Sequence, residues 1–102
     1  MTLDPQTRQT KDAINQALEL FHRRWTLRVL WELRDGALTF RALQSACGDI
    51  SPTVLNQRLA ELRDARLLVS GDAGYELSPI GRELLVAFEP MLRWARRWWR
   101  GR

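Results

Sequence analysis

The segment of residues 50–68 constrains the fold of this chain most, because its pattern is that of one capped amphipathic helix. Ser51 suits the N-cap position, and Pro52 suits the first helical position, where a missing N–H costs nothing. Leucines recur at i, i+4 and i+7 and form one apolar stripe: Leu55, Leu59 and Leu62. The pattern predicts a helix over about 52–65 that packs through its leucines and exposes its opposite side.

The opposite side of this helix carries side chains that can contact the edges of DNA bases. Thr53, Asn56 and Gln57 lie there beside Ala60. Asn and Gln pair bidentately with adenine, and the Thr methyl group contacts thymine. We expect Asn56 and Gln57 to reach base edges. We expect Thr53 to contact either a phosphate or a base, and the cap residue Ser51 to contact DNA beside it, since a helix N-terminus binds phosphate readily.

Two arginines complete the set of candidate DNA-binding residues. Arg41 precedes this helix, on another predicted helix, and is a candidate for binding phosphate. Arg58 points sideways, between the leucine stripe and the exposed side, so it can either bind phosphate or form a structural ion pair. The sequence leaves these two roles of Arg58 open.

Helical spacing and turn residues place the other elements around this helix. We predict a disordered tail over residues 1–6 and one winged-helix domain over residues 7–99. Its elements are helices 7–21, 25–34, 40–47 and 52–65, a short strand at 37–38, strands 67–70 and 75–78, and a last helix 79–99 that Pro90 kinks or splits. This order is that of a mainly α winged helix-turn-helix with a small β-hairpin and about five helices. The helix-turn-helix lies at about 39–65, the wing at about 67–78 and a dimerisation helix at about 79–99.

The distribution of charge does not by itself point to DNA. The 102 residues carry 16 Lys and Arg against 12 Asp and Glu, a net charge of +4. Residues 91–102 hold five arginines and no acid, so the other 90 residues hold 11 basic and 12 acidic groups. The prediction of double-stranded DNA as a partner therefore rests on the helix pattern, and bulk charge adds little.

The C-terminal segment has the most unusual composition, since three of the five tryptophans lie there among the arginines. Trp94 and Trp98 share a helical face with Met91, and large aromatic side chains anchor interfaces well. We therefore expect a homodimer surface on the first and last helices, formed by Ile14, Leu18, Phe88, Met91, Trp94 and Trp98. Tryptophan with basic residues is also typical of helices on acidic membranes, so peripheral membrane association through residues 94–102 is an alternative that we favour less.

The sequence lacks the residue patterns of several functional classes. It contains no phosphate-binding glycine loop, no zinc-ligand spacing and no serine elbow, so we predict neither an enzyme nor a cofactor. It also shows no signal peptide and no apolar run of membrane length, so we expect a cytoplasmic protein.

Four residues of types that often form sites are expected to have structural roles here. His22 is the one histidine, which excludes a multi-histidine metal site, and we expect it on the surface at a helix junction. Cys47 is the one cysteine, which excludes an internal disulfide, and we expect a small buried hydrophobe. Trp25 and Trp31 stand at helical spacing beside leucines and are expected in the core.

Several short motifs follow one another in a fixed order along the chain. They are Trp25-Thr26-Leu27, Gly36-x-Leu38-x-Phe40, Ile50-Ser51-Pro52, Leu55-x-Gln57-Arg58-Leu59-x-Glu61-Leu62, Tyr75-x-Leu77-Ser78-Pro79-x-Gly81-Arg82-Glu83-Leu84 and Trp94. Over about residues 12–95 this order resembles the HxlR-type winged-helix transcription regulators, relatives of the MarR group. The resemblance implies a homodimer that pairs through its first and last helices and binds pseudo-palindromic promoter DNA. We expect it to act as a repressor.

The chain departs from the family's pattern at three places. Asp12 stands where members that sense electrophiles or oxidants carry a cysteine, so thiol sensing is not carried over. The wing is short, with Asp72 at its tip and no Arg or Lys, which puts a minor-groove contact in doubt. Arg66 stands where a glycine usually ends the reading helix, so a positive φ there implies strain.

The near-neutral reading helix and the acidic wing tip leave a second function open, a winged-helix protein-interaction module that does not bind DNA. Salt-dependent binding to duplex DNA distinguishes the two functions, since neutralising phosphates releases counterions. The sequence is also compatible with a small-molecule effector between the winged-helix core and the dimer helices. It shows no convergent polar cluster that identifies one.

Overall fold

The computed structural model describes residues 4–101, which fold into five helices and a two-stranded antiparallel hairpin. In chain order these are α1 (Pro5–Phe21), α2 (Thr26–Glu32), α3 (Phe40–Cys47), α4 (Pro52–Asp64), β1 (Leu68–Gly71), β2 (Gly74–Leu77) and α5 (Pro79–Arg100). The predicted fold class is confirmed: α3 and α4 are the helix-turn-helix, and the β1–β2 hairpin is the wing.

Serine caps begin α4 and α5, as the two Ser-Pro pairs in the sequence indicate. The Ser51 hydroxyl accepts the N–H of Val54 at 3.1 Å, and the Ser78 hydroxyl accepts the N–H of Gly81 at 3.1 Å. Ser78 also donates its hydroxyl hydrogen to the carbonyl of Arg66 at 2.7 Å. The start of α5 is thereby bonded to the chain segment that leads from α4 into the wing.

Helix α1 begins earlier than the sequence analysis placed it. The Asp4 carboxylate accepts the N–H and the hydroxyl of Thr7, both at 2.8 Å, and these bonds, the one from the N–H most of all, hold the pKa of Asp4 below its usual range. Pro5 occupies the first turn, where its missing N–H is not needed. The prediction of a disordered tail is therefore wrong for residues 4–6, while residues 1–3 lie outside the described residues.

The hydrophobic core lies between α2, α3, α4 and the wing. Its buried members are Val29, Leu30, Leu33, Leu43, Cys47, Ile50, Leu55, Leu59, Leu62, Leu68 and Leu77. The leucine stripe of α4 is thus buried as predicted. Full burial of a leucine contributes about 1.5–3 kcal/mol relative to exposure. These three side chains therefore fix which side of α4 faces solvent.

A Schellman motif ends α4 and directs the chain into the wing. The N–H of Leu67 bonds the carbonyl of Leu62, and the N–H of Arg66 bonds the carbonyl of Arg63, both at 2.9 Å. Arg66 has a φ of 64°, the left-handed conformation that only glycine adopts without steric cost. A non-glycine residue there costs about 1–2 kcal/mol, so this arginine carries the expected strain.

The wing is anchored to the start of α3 through a third short segment. Leu68 pairs with Leu77 and Gly71 with Gly74 in the hairpin. Leu38 and Tyr75 exchange two backbone hydrogen bonds of 2.9 and 2.8 Å, so an isolated bridge at Leu38 replaces the short strand expected at 37–38. The position of the hairpin relative to the helix-turn-helix is therefore fixed by backbone pairing.

Helix α5 continues through Pro90 for 22 residues and is not split there. Proline leaves the carbonyl four residues before it without an intrahelical N–H. Pro90 and Val86 are both exposed, so water can donate a hydrogen bond to that carbonyl. The long helix gives the molecule its elongated shape, 51 × 37 × 23 Å.

Helix α2 is shorter than predicted, and its tryptophans do not enter the core as expected. Trp25 is the N-cap residue, with a φ of 80°, and its half-buried ring packs only at the edge of the core. Trp31 lines a groove of about 450 Å³ between α2 and α5, with the guanidinium of Arg34 3.5 Å from its ring centroid. The buried side of α2 is formed instead by Thr26, Val29 and Leu30.

Candidate DNA-binding surface

The exposed side of α4 carries the side chains that the sequence analysis singled out. Thr53, Asn56 and Gln57 are all exposed, next to Ala60. Within residues 4–101 none of these three polar side chains makes a hydrogen bond to another group. Ser51 stands exposed at the N-terminus of the same helix, where the backbone N–H groups carry positive partial charge. We call these four polar residues, Ser51, Thr53, Asn56 and Gln57, the α4 surface.

The four residues of the α4 surface are uncharged, and the two exposed charged groups that bear on DNA binding lie on α3 and on the wing. Arg41 is exposed on α3, and its side chain forms no ion pair or hydrogen bond with any residue that the structure describes. Its guanidinium is therefore available to an anion. Asp72 is exposed at the tip of the wing, where its charge opposes close approach to a phosphate backbone.

Of the two roles that the sequence left open for Arg58, the structure shows the ion pair within the protein. Its Nη1 donates to both carboxylate oxygens of Glu61 at 2.6 and 2.7 Å, and its Nε donates to the carbonyl of Arg24 at 3.0 Å. The side chain is only 12% exposed. Arg58 therefore does not belong with the expected DNA contacts, because its guanidinium already has partners inside the protein.

Neither partner of Arg58 was predicted from the sequence. Glu61, three residues further along α4, could have been found from its spacing, since i and i+3 side chains are neighbours on a helix. The carbonyl of Arg24 could not, because it is 34 residues away and a backbone group carries no sequence signal. Arg23, beside it, also approaches Glu61, with 3.6 Å between Nε and Oε1.

Large apolar side chains are also exposed on α1 and on α5. Five residues predicted for a dimer interface are 52–59% exposed: Ile14, Leu18, Met91, Trp94 and Trp98. The rings of Trp94 and Trp98 stack with their centroids 5.7 Å apart and their planes at 10°. We call these five residues the apolar surface. Helix α1 has no buried residue, so the described residues of this chain do not cover it.

Phe88 differs from the other residues predicted for the dimer interface. It is half-buried, and its ring meets that of Phe21 edge-on with a centroid distance of 5.2 Å. This contact joins the end of α1 to the middle of α5 within one chain. Phe88 is therefore assigned to intramolecular packing, because the chain itself already covers part of its ring.

Cys47 and His22 occupy the positions expected of them. Cys47 is buried at the end of α3; burial raises the pKa of its thiol, the charge of Glu32 raises it further, and Arg28 partly opposes both. The reactive thiolate is therefore disfavoured. His22 is exposed and follows the last residue of α1.

Residues 4–101 lack two features that would indicate other functions. No group of three or more His, Cys, Asp or Glu there could hold a metal ion. No helix in this part of the chain combines the length and the apolar character needed to cross a membrane.

Sequence relatives point to one family. The family model described as HxlR-like helix-turn-helix matches residues 20–102. An uncharacterized HTH-type transcriptional regulator of Methanocaldococcus jannaschii is 30% identical over 78 residues, which cover 72% of this chain and 73% of the relative.

Solved structures with the same fold agree with this. Quinone-bound YodB from B. subtilis has a TM-score of 0.79 and 27% identity, covering 84% of this chain and 98% of that one. A MarR-family protein from Enterococcus faecalis has a TM-score of 0.75 and 28% identity, covering 99% and 94%. An HxlR-family structure from Thermoplasma volcanium has a TM-score of 0.73 and 26% identity, covering 81% of each chain. With its motifs and its fold, these matches show that the chain belongs to the HxlR-like helix-turn-helix family of transcription regulators.

Proposed function

We propose that this protein regulates transcription by binding a specific DNA sequence, with α4 in the major groove. One observation carries the proposal. The α4 surface presents Thr53, Asn56 and Gln57 unbonded to solvent, on a helix whose orientation is fixed by a serine cap and three buried leucines. A rigid helix with free amide groups can pair with base edges without first losing internal hydrogen bonds. Arg41 supplies a phosphate contact.

The proposed active form is a homodimer that pairs through the apolar surface. Most of the stability of a helix in a protein comes from packing of its apolar side, so a partner that covers α1, which has no buried residue, would stabilise it. The exposed tryptophans of α5 are suited to cover it, since large aromatic side chains anchor interfaces. Two-fold symmetry then presents two α4 helices to half-sites about one helical turn apart, as in a pseudo-palindromic operator.

We propose repression as the direction of regulation. A dimer that occupies promoter DNA hinders other proteins from using the same site. A reporter gene placed behind the operator tests this, with expression expected to rise when the regulator is absent. A fall in expression would identify an activator.

The decisive experiment is a gel-shift titration on the DNA upstream of the protein's own gene, with random duplex as competitor, at low and near-physiological salt. We expect a specific complex with two protein chains per duplex. Its affinity should fall steeply with salt, because phosphate neutralisation releases counterions. Equal or absent binding to both duplexes would reject the proposal. Such a result would favour a winged-helix module that binds another protein.

A further inference from the structure

The helix that faces DNA in the proposed function is bonded directly to the junction between α1 and α2. Arg58, on α4, donates one hydrogen bond to the carbonyl of Arg24 in the junction and two to Glu61. Arg23, also in the junction, approaches the same carboxylate at 3.6 Å. We call this arrangement of Arg58, Glu61, Arg23 and Arg24 the Arg58 bridge. Because the Arg58 side chain is 12% exposed, solvent screens these interactions less than it screens a surface ion pair.

The bridge acts at the point where the chain turns from α1 into α2. Arg24 directly precedes Trp25, which has a φ of 80°, a conformation that side chains of this size rarely adopt. Such a residue persists only when its surroundings over-determine it. The hydrogen bond from Arg58 to the Arg24 carbonyl is one of the contacts that hold this turn.

Few other specific contacts orient α1 relative to the winged-helix core. No residue of α1 is buried. Leu20 packs against the core from outside, and Phe21 touches Phe88. Between α1 and the segment that follows α4, an open groove of about 490 Å³ replaces close packing. The direction in which α1 leaves the core therefore depends strongly on the junction.

We infer that Arg58 is a positioning residue for DNA binding: the Arg58 bridge fixes the orientation of α4 relative to α1. This inference rests on the proposed function, in which α1 pairs with α5 of the second copy in the dimer interface and α4 enters the major groove. In such a dimer, the angle between α1 and α4 sets the distance and rotation between the two reading helices. The bridge thereby sets which half-site spacing the dimer accepts.

The test compares operators that differ only in the spacer between their half-sites. The operator is first selected from a random duplex pool with the wild-type protein. Spacers one and two base pairs shorter and longer are then made, each base pair rotating the half-sites by about 35°. Affinities for the whole series are measured for the wild type and for Arg58→Lys. Lysine keeps the charge but cannot bond Glu61 and the Arg24 carbonyl through a planar fork.

We expect the wild type to prefer one spacing and Arg58→Lys to lose much of that preference. The ratio of affinities between the best spacer and a spacer changed by one base pair should fall by about twofold to thirtyfold. Glu61→Gln should broaden the profile in the same way, because it removes the charge that holds the guanidinium. A loss of stability alone would weaken binding to every spacer equally and would leave this ratio unchanged.

Arg28→Lys is the matched control. Arg28 also joins a carboxylate, that of Glu32 at 2.6 Å, to a distant carbonyl, that of Ala46 at 3.2 Å. Its bonds connect α2 to α3 and do not involve the α1–α2 junction, so its spacing profile should match the wild type. Thermal unfolding shows that each variant is folded at the assay temperature.

The outcomes separate the inference from the function on which it rests. If selection yields no preferred sequence, the proposed function is rejected, and the inference that rests on it is rejected as well. If the wild type binds a selected half-site but shows no spacing preference, the proposed two-fold arrangement is rejected. The Arg58 bridge then has no half-site spacing to determine. If the wild type is selective and both Arg58→Lys and Glu61→Gln keep its profile, only the inference is overturned.

Discussion

The ring of Phe21 meets the ring of Phe88 edge-on, with 5.2 Å between centroids and 76° between planes. This pair joins α1 to α5 within one chain. We expect Phe21→Ala and Phe88→Ala each to lower the free energy of unfolding by about 1–3 kcal/mol, less than for fully buried rings because both are half-buried. The double variant should lose less than the sum, by about 0.5–1.5 kcal/mol, in a urea-unfolding cycle. Strictly additive losses would show that the ring contact does not stabilise the protein.

A buried glycine lets the wing segment pack against the start of α5. A Cβ atom at Gly81 would collide with the backbone carbonyl of Leu67, which also accepts the N–H of Ser78. Gly81→Ala should therefore destabilise the protein by about 1–3 kcal/mol, since the neighbouring backbone must shift. The matched control is Gly71→Ala, where nothing lies within 4 Å of the added atom. Equal thermal midpoints for the two variants would contradict this account.

The buried thiol of Cys47 makes stability depend on pH in the alkaline range. Burial raises its pKa in the folded state, with Glu32 adding to the effect and Arg28 opposing it. The folded state therefore disfavours the thiolate. The stabilising contribution is fully present below the unfolded pKa of about 8.5 and is lost as the pH rises through the higher folded pKa.

Urea unfolding from neutral to alkaline pH measures this contribution. Above pH ~8.5 the wild type should lose stability faster than Cys47→Ala, which has no thiol to titrate. Because the variant differs only at position 47, it also corrects for every other group that titrates in this range. Parallel pH profiles for the two proteins would show that the thiol does not couple to folding.

The local elements of this fold could be predicted from the sequence because their signals are local. Ser51-Pro52 and Ser78-Pro79 marked helix starts within one turn, and the spacing of Leu55, Leu59 and Leu62 identified the buried side of α4. The exposed position of Asn56 and Gln57 followed directly from that stripe. These features need no knowledge of the rest of the chain.

Features that depend on distant residues could not be predicted in this way. The bond between Arg58 and the Arg24 carbonyl spans 34 residues and decides the role of Arg58. Trp31 has the spacing of a core residue, but its ring lines the groove between α2 and α5, and only the packing of the two helices determines this. Phe88 was predicted for the dimer interface, but its contact with Phe21 assigns it to packing within one chain.

The proposed dimer predicts different effects for charges placed on two exposed apolar sites. Ile14, on the apolar surface, is 52% exposed, and Val69, on the wing, is 45% exposed. Ile14→Glu should shift the protein to monomer in sedimentation equilibrium, because an uncompensated charge would be buried in the interface. Val69→Glu should leave the association unchanged. A wild type that is monomeric at every concentration, or an Ile14→Glu variant that stays dimeric, would refute the assignment of this interface.

Two variants should distinguish base reading from phosphate binding by the proposed regulator. Gln57→Ala should reduce discrimination between the specific operator and random duplex by about 1–3 kcal/mol, because it removes a bidentate contact to a base edge. Arg41→Ala should instead weaken binding to both duplexes equally and lower the salt slope by about one, as expected for one lost phosphate contact. Competition gel shifts at several salt concentrations measure both quantities.

Because both side chains are exposed and unbonded within residues 4–101, neither substitution removes an internal contact that could confuse the result. Unchanged discrimination in Gln57→Ala would exclude this side chain from base reading, and would leave Asn56 as the candidate on the same surface.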